Sequence, residues 1–213
     1  MTQLLTAGEP LESARAAVVM LHGRGASADD ILLTAEPLAT PGFAFLAPNA
    51  RGGAWYPHPF TAPLEANEPW LTEALRTVAE VVDEAARHVG HEHVIVLGFS
   101  QGACLGLEFV ARNPRRYGGA VGWSGGLIGP EGAQAPRSGS LESTPIVLGC
   151  SETDPYIPAE RVTAAARDLA NLGAAVAARL YPGLGHAVNE DELRRVRELM
   201  KAVVQQVQQE EMA

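Results

Sequence analysis

The chain has 213 residues, 46% apolar and 19% charged, a balance that excludes wholesale disorder and suits one globular domain over 1–213. Acidic residues outnumber basic ones by 25 to 16, for a formal charge of −9, and a surface of that sign repels phosphate backbones, so no nucleic acid is expected as a partner. No apolar run approaches the ~20 residues that span a bilayer, the N-terminus lacks the basic and apolar regions of a signal peptide, and two cysteines, Cys104 and Cys150, cannot build a disulfide framework; the expectation is a soluble, cytoplasmic protein.

In chain order, Thr2–Thr6 reads as an antiparallel edge strand. Short apolar runs then recur at Ala17–Leu21, Phe43–Ala47, Val94–Gly98, Gly119–Trp123, Ile146–Gly149 and Ala177–Tyr181. Each has the length of a buried strand. Between them lie segments of helical period. Ser27 with Asp30 is a capping signal ahead of Ile31, Leu32 and Leu33. Trp70–Val89 places Leu71, Ala74, Leu75, Val78, Val82, Ala85 and Val89 on one stripe, and Gly90 stops it. Gln101–Asn113 is closed by Pro114, and Ala159–Leu172 has Pro158 before it and Gly173 after it. A last helix runs from about Glu190 to Gln209, with Asn189 and Glu192 as a box-like start. Arg51–Pro69 and Ser124–Thr144 have no period and read as surface loops of a length that is often functional. Strand alternating with helix predicts an α/β architecture, a mostly parallel twisted sheet flanked by helices, with the site at the carboxyl ends of the strands.

One such strand end carries a chemical signal. Val94-Ile-Val-Leu-Gly98 runs into Phe99-Ser100-Gln101-Gly102 and then into helix. Gly98-Phe99-Ser100-Gln101-Gly102 is G-x-S-x-G, a pattern that chance alone gives in roughly one shuffled chain in twelve. Placed between strand and helix it forms a nucleophile elbow: small flanking residues let the backbone turn sharply, and the serine stands above the sheet. A serine needs a base, and the base an orienting carboxylate. Asp154 follows the strand at Ile146–Gly149, and His186 follows the strand at Ala177–Tyr181. The order Ser100, Asp154, His186, with each residue beyond a strand, matches an α/β-hydrolase fold. The loop His22-Gly23-Arg24, after Val18–Leu21, is the expected source of a second oxyanion donor, so the hole is assigned to the N–H groups of Arg24 and Gln101. His22 reads as a structural residue that hydrogen-bonds within its loop.

LHGRGASADD, LAPNARGGAWY, LGFSQGA, CSETDPYIP and GLGHAVNEDEL, taken together, resemble consecutive motifs of the phospholipase/carboxylesterase family of α/β-hydrolases, which includes the acyl-protein thioesterases. The resemblance runs from about Val18 to the end of the chain. It implies an α/β-hydrolase without a separate lid domain, acting on esters or thioesters without a cofactor or metal. By that resemblance the nucleophile, acid and base are Ser100, Asp154 and His186, and the oxyanion positions are Arg24 and Gln101. Arg24 stands where thioesterase members usually carry an apolar Leu, and the aromatic stretch after Trp55 is longer here; both departures bring the chain closer to the bacterial small-molecule esterases of the family.

Trp55 has two readings, a wall of the acyl or aryl pocket or packing of a long loop on the sheet edge, and Leu127 and Ile128 are read on the same terms. The Arg24 side chain would attract an anionic substrate end or pair with a surface carboxylate. His88, His91 and His93 read as a solvated cluster at a helix end rather than a metal site. Cys104 and Cys150 are expected to be inert. The expected function is hydrolysis of small soluble carboxylic esters through an acyl-enzyme, with activity rising with pH as His186 becomes neutral. The alternatives are a thioesterase or aryl-ester hydrolase and, from another class, a non-catalytic hydrolase-fold binding protein. The expected partner is a small-molecule ester, with a homodimer left open.

Overall fold

The computed structural model describes residues 3–132 and 138–212. Thr2 of the expected edge strand and 133–137 of the Ser124–Thr144 loop lie outside the described residues. Among the described residues seven strands share one sheet in the order β1-β3-β2-β4-β5-β6-β7. They are β1 Leu4–Gly8, β2 Ala16–Leu21, β3 Phe43–Pro48, β4 Val94–Phe99, β5 Gly119–Trp123, β6 Pro145–Ser151 and β7 Ala175–Tyr181. All pairings are parallel except that of β1 with β3. The central strands β2, β3 and β5 are buried at every position. That explains their unbroken apolar runs, because helices cover both faces of a parallel sheet.

Two apolar layers sandwich the sheet. On one face α3 (Trp70–Val89), α4 (Gln101–Arg112) and α5 (Ala159–Asn171) supply Leu71, Val78, Leu105, Phe109, Val162 and Leu169. On the other, α1 (Ala28–Leu32), α2 (Ala35–Leu38) and α6 (Glu190–Glu211) supply Ile31, Leu38, Val196 and Met200 against Val18, Met20, Ile95, Leu97 and Trp123. Of the α3 stripe read from the sequence, Leu71, Ala74, Val78, Val82 and Ala85 are buried, Leu75 and Val89 are half-buried, and Val81 joins the buried face. The predicted starts of α1 and α6 are reciprocal capping boxes, Ser27 with Asp30 and Asn189 with Glu192. This is the architecture of the α/β-hydrolase fold.

The topology places the site. Strand order reverses between β2 and β4, where β3 lies on one side of β2 and β4 on the other; loops diverge at such a switch point and leave a crevice. Leu21 pairs with Gly98 in register, so the loop after β2 emerges beside the turn after β4. At the next pair of interest, Ser151 sits opposite Tyr181, which brings the loop after β6 beside the loop after β7.

Candidate active site

Ser100 stands at the N-cap of α4 with φ 54° and ψ −118°, a conformation that an L-residue adopts only when its surroundings impose it. The imposing contacts are close. A Cβ at Gly98 would collide with the Gly102 backbone, and one at Gly102 would collide with the Leu21 carbonyl. The two glycines of the pentapeptide are therefore the condition for the turn. Ser100 N–H donates to the Trp123 carbonyl at 2.9 Å, which ties the turn to β5.

His186 lies in the loop after β7 with Nε2 2.9 Å from Ser100 Oγ and Nδ1 2.7 Å from Asp154 Oδ2. The Asp154 side chain is fully buried, and its Oδ1 accepts from the Tyr156 and Ile157 N–H groups at 2.9 and 3.0 Å. Burial pushes the carboxyl up, but the hydrogen bonds from His186 and these two N–H groups outweigh it and hold the group below its usual value. Asp154 is thus an anion at neutral pH that fixes the His186 tautomer: Nδ1 carries the proton and Nε2 is free to accept from the hydroxyl. The His186 ring rests between Phe99, 4.8 Å away between centroids, and the edge-on Tyr156 at 4.9 Å. Sequence reasoning passed over both aromatics, although each stands within two residues of a member of the triad.

The loop after β2 sits against the elbow. A Cβ on Gly23 would touch Ser100 Cβ and the Phe99 ring at 3.4 Å. Gln101 is the first residue of α4, so its N–H has no carbonyl within the helix to meet. The Arg24 N–H makes no backbone hydrogen bond among the described residues. Gly23, which precedes Arg24, packs against Ser100, and Gln101 follows Ser100, so both expected oxyanion residues stand next to the elbow.

Their side chains act elsewhere. Gln101 Oε1 accepts from Trp55 N–H at 3.0 Å, and its Nε2 donates to the Tyr56 carbonyl at 2.8 Å. Arg24 Nη2 donates to the Tyr56 and His58 carbonyls at 2.8 and 3.1 Å. Arg24 was expected to attract a substrate or pair with a carboxylate; instead it holds the 55–58 segment by its main chain. His22 is structural: Nδ1 bonds the Gly23 carbonyl at 2.8 Å, and Nε2 accepts from Ala50 N–H at 3.0 Å. Burial lowers its pKa, so the ring stays neutral.

Trp55 and Leu127, expected as pocket residues, are buried and are not among the walls of the cavity beside the elbow. Trp55 is 4% exposed and Leu127 1%. The Trp55 indole donates to the His22 carbonyl at 2.9 Å and lies 5.0 Å from the His22 ring. Leu127 and Ile128 belong to the α4 side of the core, where Arg161 donates to the Leu127 carbonyl and Glu108 accepts from Ile128 N–H. These loops are not surface loops along their length; Gly125–Gly129 is buried, because its backbone groups find these partners. The cavity beside the elbow has other walls, among them Gly23, Ile31, Phe99, Trp123 and Val188, and a volume of about 280 Å³.

His93 departs from the expected solvated cluster. It is 6% exposed, with Nδ1 on the Val89 carbonyl and Nε2 3.1 Å from Glu210. Burial pushes the Cys104 and Cys150 thiols up, to about 12 and about 11, so neither is a thiolate at neutral pH.

The phospholipase/carboxylesterase family model matches residues 6–204. A phospholipase/carboxylesterase from Dyadobacter fermentans superposes with a TM-score of 0.90 at 40% identity, covering 94% of this chain and 97% of that one. The probable carboxylesterase SOBER1-like of Arabidopsis thaliana is 30% identical over 69% of this chain, and the match spans 56% of that relative's length. Acyl-protein thioesterase 1 of Saccharomyces cerevisiae is 26% identical over 90% of this chain and 94% of its own. With the fold, the elbow and the Ser100–His186–Asp154 chain of hydrogen bonds in place, the protein belongs to the phospholipase/carboxylesterase family.

Proposed function

We propose that the protein is a serine carboxylesterase that hydrolyses small carboxylic esters through an acyl-enzyme. The observation that carries this reading is the continuous hydrogen-bonded line from Ser100 Oγ through His186 to the buried Asp154 carboxylate. His186 Nε2 takes the hydroxyl proton as Ser100 attacks the ester carbonyl, and Asp154 stabilises the imidazolium that forms. The tetrahedral oxygen is met by the Arg24 and Gln101 N–H groups, and losing one such donor typically costs ~3 kcal/mol of barrier. His186 then passes its proton to the leaving oxygen. Water, activated by the same imidazole, releases the acid. Charge develops and disappears on His186 while Asp154 stays ionised, so the carboxylate's low pKa is a requirement of the cycle.

No helix of the described residues is long and apolar enough to cross a membrane, and both cysteines are unpaired and buried, which suits a reducing cytoplasm. A thioester reading has one support of its own, the likeness to an acyl-protein thioesterase over nearly the full length of both chains. Against it stands Arg24, in the position where thioesterase members, by the resemblance, usually carry an apolar Leu.

The test is hydrolysis of p-nitrophenyl esters from acetate to laurate, with thioesters in parallel, by the wild type and Ser100→Ala. Loss of at least about 10⁴-fold in kcat in the variant is expected, as for other serine triads. Equal activity in the two proteins, or none on any ester in a folded wild type, would remove the serine esterase reading.

A further inference from the structure

The cavity beside the elbow is bounded by chain neighbours of the reacting groups. Gly23 precedes Arg24, Phe99 precedes Ser100, and Val188 follows His186 by two residues. Wholly buried Trp123 forms another wall, and Ile31 and Thr34 close it from the α1 side. The walls are mostly apolar, and the volume of about 280 Å³ lies just under the ~300–1,000 Å³ of ordinary small-molecule pockets. It has room for one small ring or a short branched chain.

Its position relative to the proton path decides what enters it. During acylation the Ser100 Oγ–carbonyl bond forms and the carbonyl–leaving oxygen bond breaks, and the proton taken by His186 goes to that leaving oxygen. The leaving oxygen must therefore lie within reach of His186 Nε2, while the carbonyl oxygen turns to the Arg24 and Gln101 N–H groups. The cavity lies between Gly23 of the loop after β2, Ile31 and Thr34 on the α1 side, and Val188 just past His186. Across the sheet, the 125–129 segment is packed into the core. We propose that this cavity is the leaving-group subsite, and that it receives the compact, uncharged, apolar alcohol of the ester. This inference rests on the esterase reading.

Asp30 sharpens the chemistry. It lines the same cavity, and its Oδ2 accepts from Ser27 N–H and Ser27 Oγ at 2.8 and 2.7 Å. These bonds keep a carboxylate at the cavity wall, so an alcohol carrying a negative charge is repelled there.

The experiment uses two substrate series on the wild type and on Thr34→Phe and Ala26→Leu, both at partly exposed wall positions. In the first series the acid is always acetate and the alcohol grows from methanol to benzyl alcohol. In the second the alcohol is always p-nitrophenol and the acid grows from acetate to hexanoate. The expected result is a fall of at least about tenfold in the benzyl-to-methyl ratio of kcat/KM in the variants, the scale on which an apolar pocket discriminates. The hexanoate-to-acetate ratio moves by less than about twofold, since the acyl group is held elsewhere. Benzyl alcohol competes with methyl acetate in the wild type, which checks the subsite without any substitution. A variant that alters the acyl ratio and leaves the alcohol ratio alone overturns the assignment, as does a folded variant in which neither ratio moves, or absence of competition by benzyl alcohol. A folded wild type that cleaves no ester overturns the esterase reading and the subsite with it, and is recognised by the missing basal rate.

Discussion

Gln101 keeps its main-chain N–H outside the helix ladder while its side-chain amide is held by Trp55 N–H and the Tyr56 carbonyl. Arg24 divides its atoms in the same way, and the Tyr56 carbonyl accepts from both side chains. The two proposed oxyanion donors are therefore fixed relative to each other through a third segment that touches neither reacting atom. Rate is sensitive to such placement, because a misplacement of about 1 Å can cost ~100-fold. Gln101→Met preserves the N–H, the size and the burial but removes both hydrogen bonds. It is expected to lower kcat by about 10- to 100-fold with KM within about threefold, since the change falls on transition-state geometry rather than on uniform binding. Steady-state kinetics on p-nitrophenyl acetate checks this, and a rise in KM with kcat intact would place Gln101 in substrate binding instead.

At the scale of elements, α6 presents a buried acid just behind the His186 loop. Glu192 is 1% exposed. Its Oε2 accepts from the Asn189 N–H at 2.9 Å, and its Oε1, which has no partner among the described residues, enters the space where a Gly149 side chain would stand. Burial pushes the carboxyl up to about 7, with the Asn189 N–H opposing and Asp191 adding to the rise. In the unfolded chain a Glu titrates near ~4.3, so the native state binds the proton more tightly. The resulting stabilisation is complete below the unfolded value and is lost as pH rises through about 7. Glu192→Gln keeps the capping geometry and carries no charge at any pH. Its stability is expected to exceed that of the wild type by at most about 3 kcal/mol at pH 8, with the gap closing toward pH 5; urea unfolding at the two values measures it, and parallel curves would remove the burial account. The capping box itself was legible in the sequence as Asn189 and Glu192, because caps are local. So were the strands, the α3 stripe and the order Ser100, Asp154, His186, each set by near neighbours or by a strand end. The cavity was not legible: Gly23, Ile31, Phe99, Trp123 and Val188 meet only because β2, β4 and β5 are adjacent and α1 and α6 share a face. The sequence alone could not place Trp55 and Leu127, because an aromatic or apolar loop residue reads alike whether it lines a pocket or closes one from behind.

Over the whole molecule, the switch point between β2 and β4 and the pairing of β6 with β7 gather four loops at one end of the sheet. The chain carries a formal charge of −9, and Asp30 adds a fixed carboxylate to the cavity among those loops. The net charge of the whole molecule acts on an approaching anion over the Debye length, about 10 Å at 0.1 M salt and 30 Å at 0.01 M. A local clash at Asp30 would persist at high salt, whereas the field of the whole surface would be screened. The anion 4-acetoxybutyrate, whose leaving alcohol carries the charge, and butyl acetate, its neutral counterpart of similar size, separate the two contributions. At about 10 mM ionic strength the neutral ester is expected to show a kcat/KM at least about tenfold higher, and at about 500 mM the gap should shrink severalfold as the long-range field is screened. Asp30→Asn, which keeps a side-chain oxygen for Ser27, reduces the gap that survives high salt if the carboxylate acts locally. A gap that ignores both salt and Asp30→Asn would mean that charge selection at this site comes neither from the acidic surface nor from Asp30.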